Sequence, residues 1–231
     1  MNTASWGPDG WKLLHSIAYC YTFNEYHTIS PSVYKRFFGA IQHLLPCVYC
    51  RRSYAQYMKE LPIKDYLFPA SVHPKKNLFY HIYLIHNKVN DKLRKQGYND
   101  KPDPSYSAAI RFYREYVKKL KCLVGWHFLY CMIFNYPEDG ADCSQRRKKA
   151  YLDFFECLTE LLPCHRIREK YRTYVENKAM SDYMSSRDKL KKWLHGLERA
   201  IRGEKCKPFK VRCNSVEKCR VEKCDGGTCR K

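Results

Sequence analysis

Over residues 10–21, GWKLLHSIAYCY, apolar and aromatic positions recur at helical spacing and put Trp11, Leu14, His15 and Ala18 on one face after a Pro-Asp-Gly start. The pattern predicts a helix there. Residues 34–45 repeat the 3.6-residue period, and Pro46 is expected to open a new helical turn carrying residues 47–58, because proline suits a helix's first position. Residues 61–76 contain Pro62, Pro69 and Pro74 and predict loop. Helical patterning returns over 77–96 and again over 106–121.

The second half restates the first. Residues 125–136 read GWHFLYCMIFNY, matching GWKLLHSIAYCY in the Gly-Trp start, the central leucine and the final tyrosine. Residues 154–174, FFECLTELLPCHRIREKYRTY, lie over residues 37–57, FFGAIQHLLPCVYCRRSYAQY, sharing the Phe pair, the LLPC run, an arginine and two tyrosines. A repeat of this length is too long for a solenoid unit and implies two copies of one domain. Almost no segment alternates with a strand's period of two. The expectation is therefore an all-α fold of two small helical bundles, with residues 1–120 as one domain, 121–203 as its degenerate copy and 204–231 as a Cys-rich basic tail.

Composition narrows the function. Hydrophobic content of 45% and aromatic content of 15% are those of a globular chain. The first residues, MNTASWGPDGW, have neither a basic n-region nor an apolar h-region, and no stretch approaches the ~18 unbroken apolar residues of a membrane span. The reading is a soluble protein made in the cytosol, with no membrane partner. Thirteen cysteines are hard to explain there as disulfide staples, so metal binding or catalysis gains weight. A formal charge of +20 attracts nucleic acid, acidic proteins or phosphates without naming one of them.

Cys47 and Cys50 form a CVYC motif whose two-residue spacing lets a disulfide close across one turn, with Pro46 placing Cys47 near a helix N-terminus, where the dipole favours a thiolate. Taken alone, it fits redox chemistry, half of a zinc site, or buried cysteines. The run HNKVNDKLRK, from His86 to Lys95, offers a histidine and two asparagines near one helix face to a planar heteroaromatic ligand, and Lys92, Arg94 and Lys95 to phosphates. Taken alone, it fits a solvated polar helix end better. Trp11 and His15, four residues apart, lie side by side on one helix, an arrangement that ordinary core packing also produces.

The order WxxxH, CxxC, HNxVNxxL is far more specific than its parts, and over residues 6–115 it resembles the Erv/ALR family of sulfhydryl oxidases, most of all members encoded by large DNA viruses. The resemblance implies a helical bundle holding FAD, with Cys50 beside the isoalloxazine and Cys47 meeting the incoming thiol. It implies flavin contacts from Trp11, His15, Cys50, His86, Asn87, Val89, Asn90, Leu93, Lys95 and Tyr98. It further implies protein dithiols as substrates, O2 as acceptor with H2O2 as product, pairing as a homodimer or internally as a pseudo-dimer and, for a viral protein, the host cytoplasm and the virion. Two departures stand out: Tyr83 and Asn99 occupy the positions of a second structural disulfide, and Arg94 stands where many members have glycine.

In the copy, Cys164 aligns with Cys47, but Ile167 replaces Cys50, Tyr130 replaces His15 and Glu198 and Arg199 replace His86 and Asn87, so one FAD per chain is expected. Cys20 or the tail cysteines, Cys206, Cys213, Cys219, Cys224 and Cys229, could relay electrons or, in the tail's case, bind zinc. The rival from another class is a basic, zinc-containing nucleic-acid-binding or interaction protein.

Overall fold

The computed structural model describes residues 3–23, 28–120 and 124–203. The cysteines of the predicted tail lie outside the described residues. Among the described residues there are nine α-helices: α1 (Thr3–Phe23), α2 (Pro31–Leu44), α3 (Val48–Glu60), α4 (Leu78–Lys95), α5 (Tyr106–Lys118), α6 (Trp126–Phe134), α7 (Gln145–Leu161), α8 (His165–Asn177) and α9 (Arg187–Arg202). No strand occurs among the described residues.

The starts follow from capping chemistry. Ser30, Asn77, Ser105, Ser144 and Ser186 each accept a backbone N–H from the first turn of α2, α4, α5, α7 and α9. Two sequence expectations shift. Helix α1 begins at Thr3 and carries Pro8 inside it, although proline removes one backbone donor. Trp6, buried and stacked on Phe128 with ring centroids 5.7 Å apart, anchors the added turns. Pro46 stands outside α3, whose N-cap is Cys47, because the residue before a proline is forced extended; Leu45 has ψ 132°.

In the first half, α1 packs on α4 and α5, α2 on α3, and α3 on α4; in the second, α6 packs on α9, α7 on α8 and α8 on α9. The repeat is visible atom by atom. Tyr54 donates its hydroxyl to Phe38 O at 3.1 Å, and Tyr171 does the same to Phe155 O at 2.9 Å. Arg51 Nη1 caps Leu45 O at 2.6 Å, and Arg168 Nη1 caps Leu162 O at 3.0 Å. The tyrosines tie α3 to α2 and α8 to α7, and the arginines tie each LLPC turn to the helix that follows it.

The halves meet through α2 against α7 and α1 against α6, and their contacts are reciprocal. Phe37 stacks on its own counterpart Phe154 with centroids 4.7 Å apart. A Cβ on Gly10 would lie 3.1 Å from the Phe128 ring, and one on Gly125 would lie 3.1 Å from Leu13 Cβ, the residue aligned with Phe128. This is the self-complementary arrangement of a two-fold dimer, made within one chain. Gly125 also has φ +89°, which L side chains rarely adopt. The apolar core is continuous across the two bundles.

Candidate functional site

At the start of α3 the Cys47 Sγ accepts the backbone N–H of Cys50 at 3.3 Å, so the capping group is itself the first thiol of the CxxC. A helix N-terminus stabilises negative charge at that sulfur. Cys47 is 2% exposed, whereas Cys50 is half-buried and opens on a cavity. Neither sulfur is in a disulfide. The Cys50 thiol is pushed far up, first by its hydrogen bond to Cys47 and then by burial, while Lys92 and Arg51 act in the opposite sense.

The cavity has a volume of about 490 Å³ and is walled by the first turns of α1, the end of α2, the start of α3, the second half of α4, and α5. Trp11, Cys50, His86, Val89, Asn90 and Leu93, all singled out from sequence, line it together. His15 lies buried behind this wall, its Nε2 3.0 Å from His86 Nδ1 and its ring stacked on Tyr113. Trp11 stacks on His86 with centroids 4.0 Å apart. His15 Nδ1 is buried without a hydrogen-bond partner.

Burial pushes His86 down to about 4, with Asp103 pulling weakly the other way, and burial followed by the His86 charge holds His15 well below the usual imidazole range. Both rings are neutral at pH 7, so one nitrogen of the pair donates to the other.

Beyond the cavity wall, Asn90 Nδ2 donates to Asp103 Oδ1 at 2.6 Å, and Arg94 pairs with Asp103 Oδ2 at 2.7 Å, with Asp91 and with Lys101 O. Arg94, which stands where glycine was expected, is thus held by two carboxylates and faces away from the role of a phosphate ligand. Asn87, Lys95 and Tyr98 are not on the cavity wall; Lys95 and Tyr98 are exposed.

Among the other wall residues, the sequence offered Lys92 only to phosphates and did not mark Tyr113 or Phe128 as site residues. Lys92 lines the cavity and donates to Ser53 Oγ at 2.9 Å, and its place on the Cys50 face could have been read from the helical period. Tyr113 enters from α5. Phe128 comes from the second half, a contribution no local pattern reveals.

The matching place in the second half is filled by its own side chains. Tyr130 donates to Glu198 Oε2 at 2.7 Å, and Arg202, in the register of Asn90, reaches Glu198 Oε1 at 2.8 Å. The Arg202 guanidinium lies 5.8 Å over the Trp126 ring. Glu198 is fully buried, and Ile167, at the position of Cys50, is buried too. No cluster of three or more His, Cys, Asp or Glu residues that could hold a metal ion occurs among the described residues. No described helix is long and apolar enough to cross a membrane.

The chain is similar to a protein of Acanthamoeba polyphaga mimivirus named "Probable FAD-linked sulfhydryl oxidase", with 28% identity over 56% of this chain and 83% of that protein. It is also similar to a mitochondrial FAD-linked sulfhydryl oxidase of Saccharomyces cerevisiae, with 29% identity over 40% of this chain and 45% of that protein. No solved structure matches. The Erv1 / Alr family matches twice, over residues 8–112 and again over 124–221, in agreement with the two reciprocal bundles, and the chain belongs to that family.

Proposed function

We propose that the chain is an FAD-linked thiol oxidase that forms disulfides in protein substrates, with residues 1–120 as the catalytic domain, 121–203 as a non-catalytic partner bundle and 204–231 as a tail. The observation that carries this reading is the position of Cys50: the second sulfur of the CxxC opens on the same cavity as Trp11, His86 and Asn90. The cavity's walls suit a flavin. They offer flat aromatic rings for stacking, the amide of Asn90, the ammonium of Lys92 for negative charge, and unpaired buried polarity behind them at His15 Nδ1.

The reaction follows thiol–disulfide exchange. A substrate thiolate attacks Cys47 Sγ of the oxidised pair, the Cys47–Cys50 bond breaks, and Cys50 leaves as a thiolate. The second substrate thiol then attacks the mixed disulfide, releasing the substrate disulfide and a reduced Cys47. The Cys47–Cys50 bond then re-forms with loss of two protons, the two electrons leaving through Cys50; FAD, when bound, would supply the oxidant and hand the electrons and protons to O2 as H2O2. The positive charges of Lys92 and Arg51 bear on Cys50 and favour its anion as it leaves. His15, His86 and Trp11 form a rigid neutral platform that needs no proton to hold its shape near pH 7. Cys47 is more buried than Cys50, so an incoming thiol reaches it only as the first turn of α3 and its covering side chains give way.

The second half takes the place that a second subunit would have in a dimer, its interface following the same two-fold logic. Its Tyr130–Glu198–Arg202 network fills the matching space, which supports one FAD per chain.

The test is turnover with a reduced dithiol protein in the presence of oxygen. One O2 consumed and one H2O2 formed per disulfide are expected; disulfide formation without peroxide, or no oxidation, would overturn the reading.

A further inference from the structure

We propose that the junction of the two halves beside Cys47 is a docking site for acidic segments flanking the cysteines of protein substrates. The proposal rests on the oxidase reading above and adds a substrate class to it.

Two arginines from different halves converge there. Arg51 lies one turn after Cys47, its backbone N–H donating to Cys47 O at 3.0 Å. Arg147, from the first turn of α7, donates through Nη2 to Asn135 O at 2.8 Å. With its amide oriented to satisfy its neighbours, the Asn135 side-chain oxygen accepts from Arg51 Nη1 at 3.2 Å and from Arg147 Nη2 at 2.8 Å. Two guanidinium groups thus share one neutral acceptor. His43, at the end of α2, faces the same cluster: after burial, the charges of Arg146, Arg51 and Arg147 push its imidazole down.

Carboxylates neutralise other arginines of this chain, including Arg36, Arg94, Arg172, Arg187 and Arg202. Among the described residues none pairs with Arg51, Arg146 or Arg147. Arg147 Nε is buried without a hydrogen-bond partner, and its guanidinium lies 5.9 Å over the Tyr151 ring. The overall charge of +20 would scatter lysines and arginines over any surface. It does not bring them together across a domain junction without counter-charges.

Arg51 caps Leu45 O, as Arg168 does in the second half, but Arg146 and Arg147 have no counterpart in the repeat. Helix α7 has 17 residues and its counterpart α2 has 14; in the shared register of the LLPC turn, the additional N-terminal turn carries Arg146 and Arg147. Cations at a helix N-terminus oppose the helix dipole and cost stability. Their position fits a partner that supplies negative charge, and the redox pair is the chemistry beside them. An acidic segment there would also bring its cysteine to Cys47 faster through long-range attraction.

The experiment compares two dithiol peptides with the same cysteine core, one flanked by Asp and Glu and the other by Lys and Arg, with dithiothreitol as a neutral reference in every assay. The full chain should oxidise the acidic peptide with kcat/KM at least about tenfold higher at low salt. The gap should close near 1 M salt, where the screening length falls to about 3 Å. Arg146 is exposed, so Arg146→Glu tests the charge without disturbing packing, and it should shrink or reverse the ratio between the peptides. Equal rates for both peptides while dithiothreitol is oxidised would overturn the docking site alone. An oligonucleotide that competes where the acidic peptide does not would overturn it in favour of nucleic acid. Failure to oxidise dithiothreitol would overturn the oxidase reading and the docking site with it.

Discussion

Tyr130→Phe probes whether the second bundle is a closed structural partner. The substitution removes one hydroxyl and no ring, so packing against Trp126 and Phe134 is retained. What is lost is the 2.7 Å hydrogen bond to Glu198 Oε2, a fully buried carboxylate oxygen. Arg202 remains on the other oxygen, so the carboxylate keeps its counter-charge and loses one donor. A hydrogen bond to a charged group contributes about 1.5–3 kcal/mol. For a chain of this size each kcal/mol moves Tm by roughly 2–4 °C, so a fall of about 3–12 °C is expected. The assay is thermal unfolding followed by far-UV circular dichroism, with flavin content measured on the same sample. Flavin should stay at one per chain, because the cavity beside Cys50 is untouched. An unchanged Tm would refute the claim that Tyr130 and Glu198 hold the second bundle together, and a second bound flavin would refute the claim that they fill its site.

Other expectations are equally direct. Cys47→Ser should leave Cys50 as a thiolate against the flavin and give a long-wavelength absorption band that Cys50→Ser lacks; identical spectra would defeat the assignment of roles. His86 has a folded value near 4 and an ordinary value of 6.5, so the unfolded chain binds the extra proton first as pH falls. Stability should therefore drop between about pH 6.5 and 4, by up to roughly 3 kcal/mol from His86, and the drop should be shallower in His86→Phe; His81, also near 4, contributes in the same window. Phe37→Ala removes the ring stacked on Phe154 and should cost about 3–5 kcal/mol in thermal or urea unfolding; a loss under 1 kcal/mol would mean that the junction of the halves is not a packed core. Truncation after Gly203 should keep FAD bound and slow the oxidation of protein substrates more than that of dithiothreitol, if the tail relays electrons; equal slowing would exclude that role.

Much of this architecture is legible from periodicity and from the repeat. The helices α1 to α5, the duplication and the six wall residues from Trp11 to Leu93 follow from local spacing together with the order of three motifs. Capping set most helix starts and was less visible: Ser30 and Ser144 lie outside the apolar pattern, and the start of α1 depends on Trp6 meeting Phe128, a contact more than a hundred residues away in sequence. The same reason hides Phe128 in the cavity wall. Arg51, Asn135 and Arg147 gain meaning only once the halves are packed, since nothing in the order of residues brings α7 to the start of α3. The replacement of His15 and His86 by Tyr130 and Glu198 was readable; their mutual hydrogen bond, closed by Arg202, was not, because it depends on how α6 and α9 are set against each other.

The central claim is that electrons from the CxxC pair enter a flavin held in the cavity beside Cys50. Anaerobic titration of the purified full chain with dithiothreitol, with the visible spectrum recorded at each addition, tests it most directly. The protein should be yellow, its flavin absorption should bleach in proportion to added dithiol, and Cys50→Ser should bind flavin without bleaching at a comparable rate. A colourless protein, or flavin that bleaches as fast in Cys50→Ser as in the unaltered chain, would contradict the account.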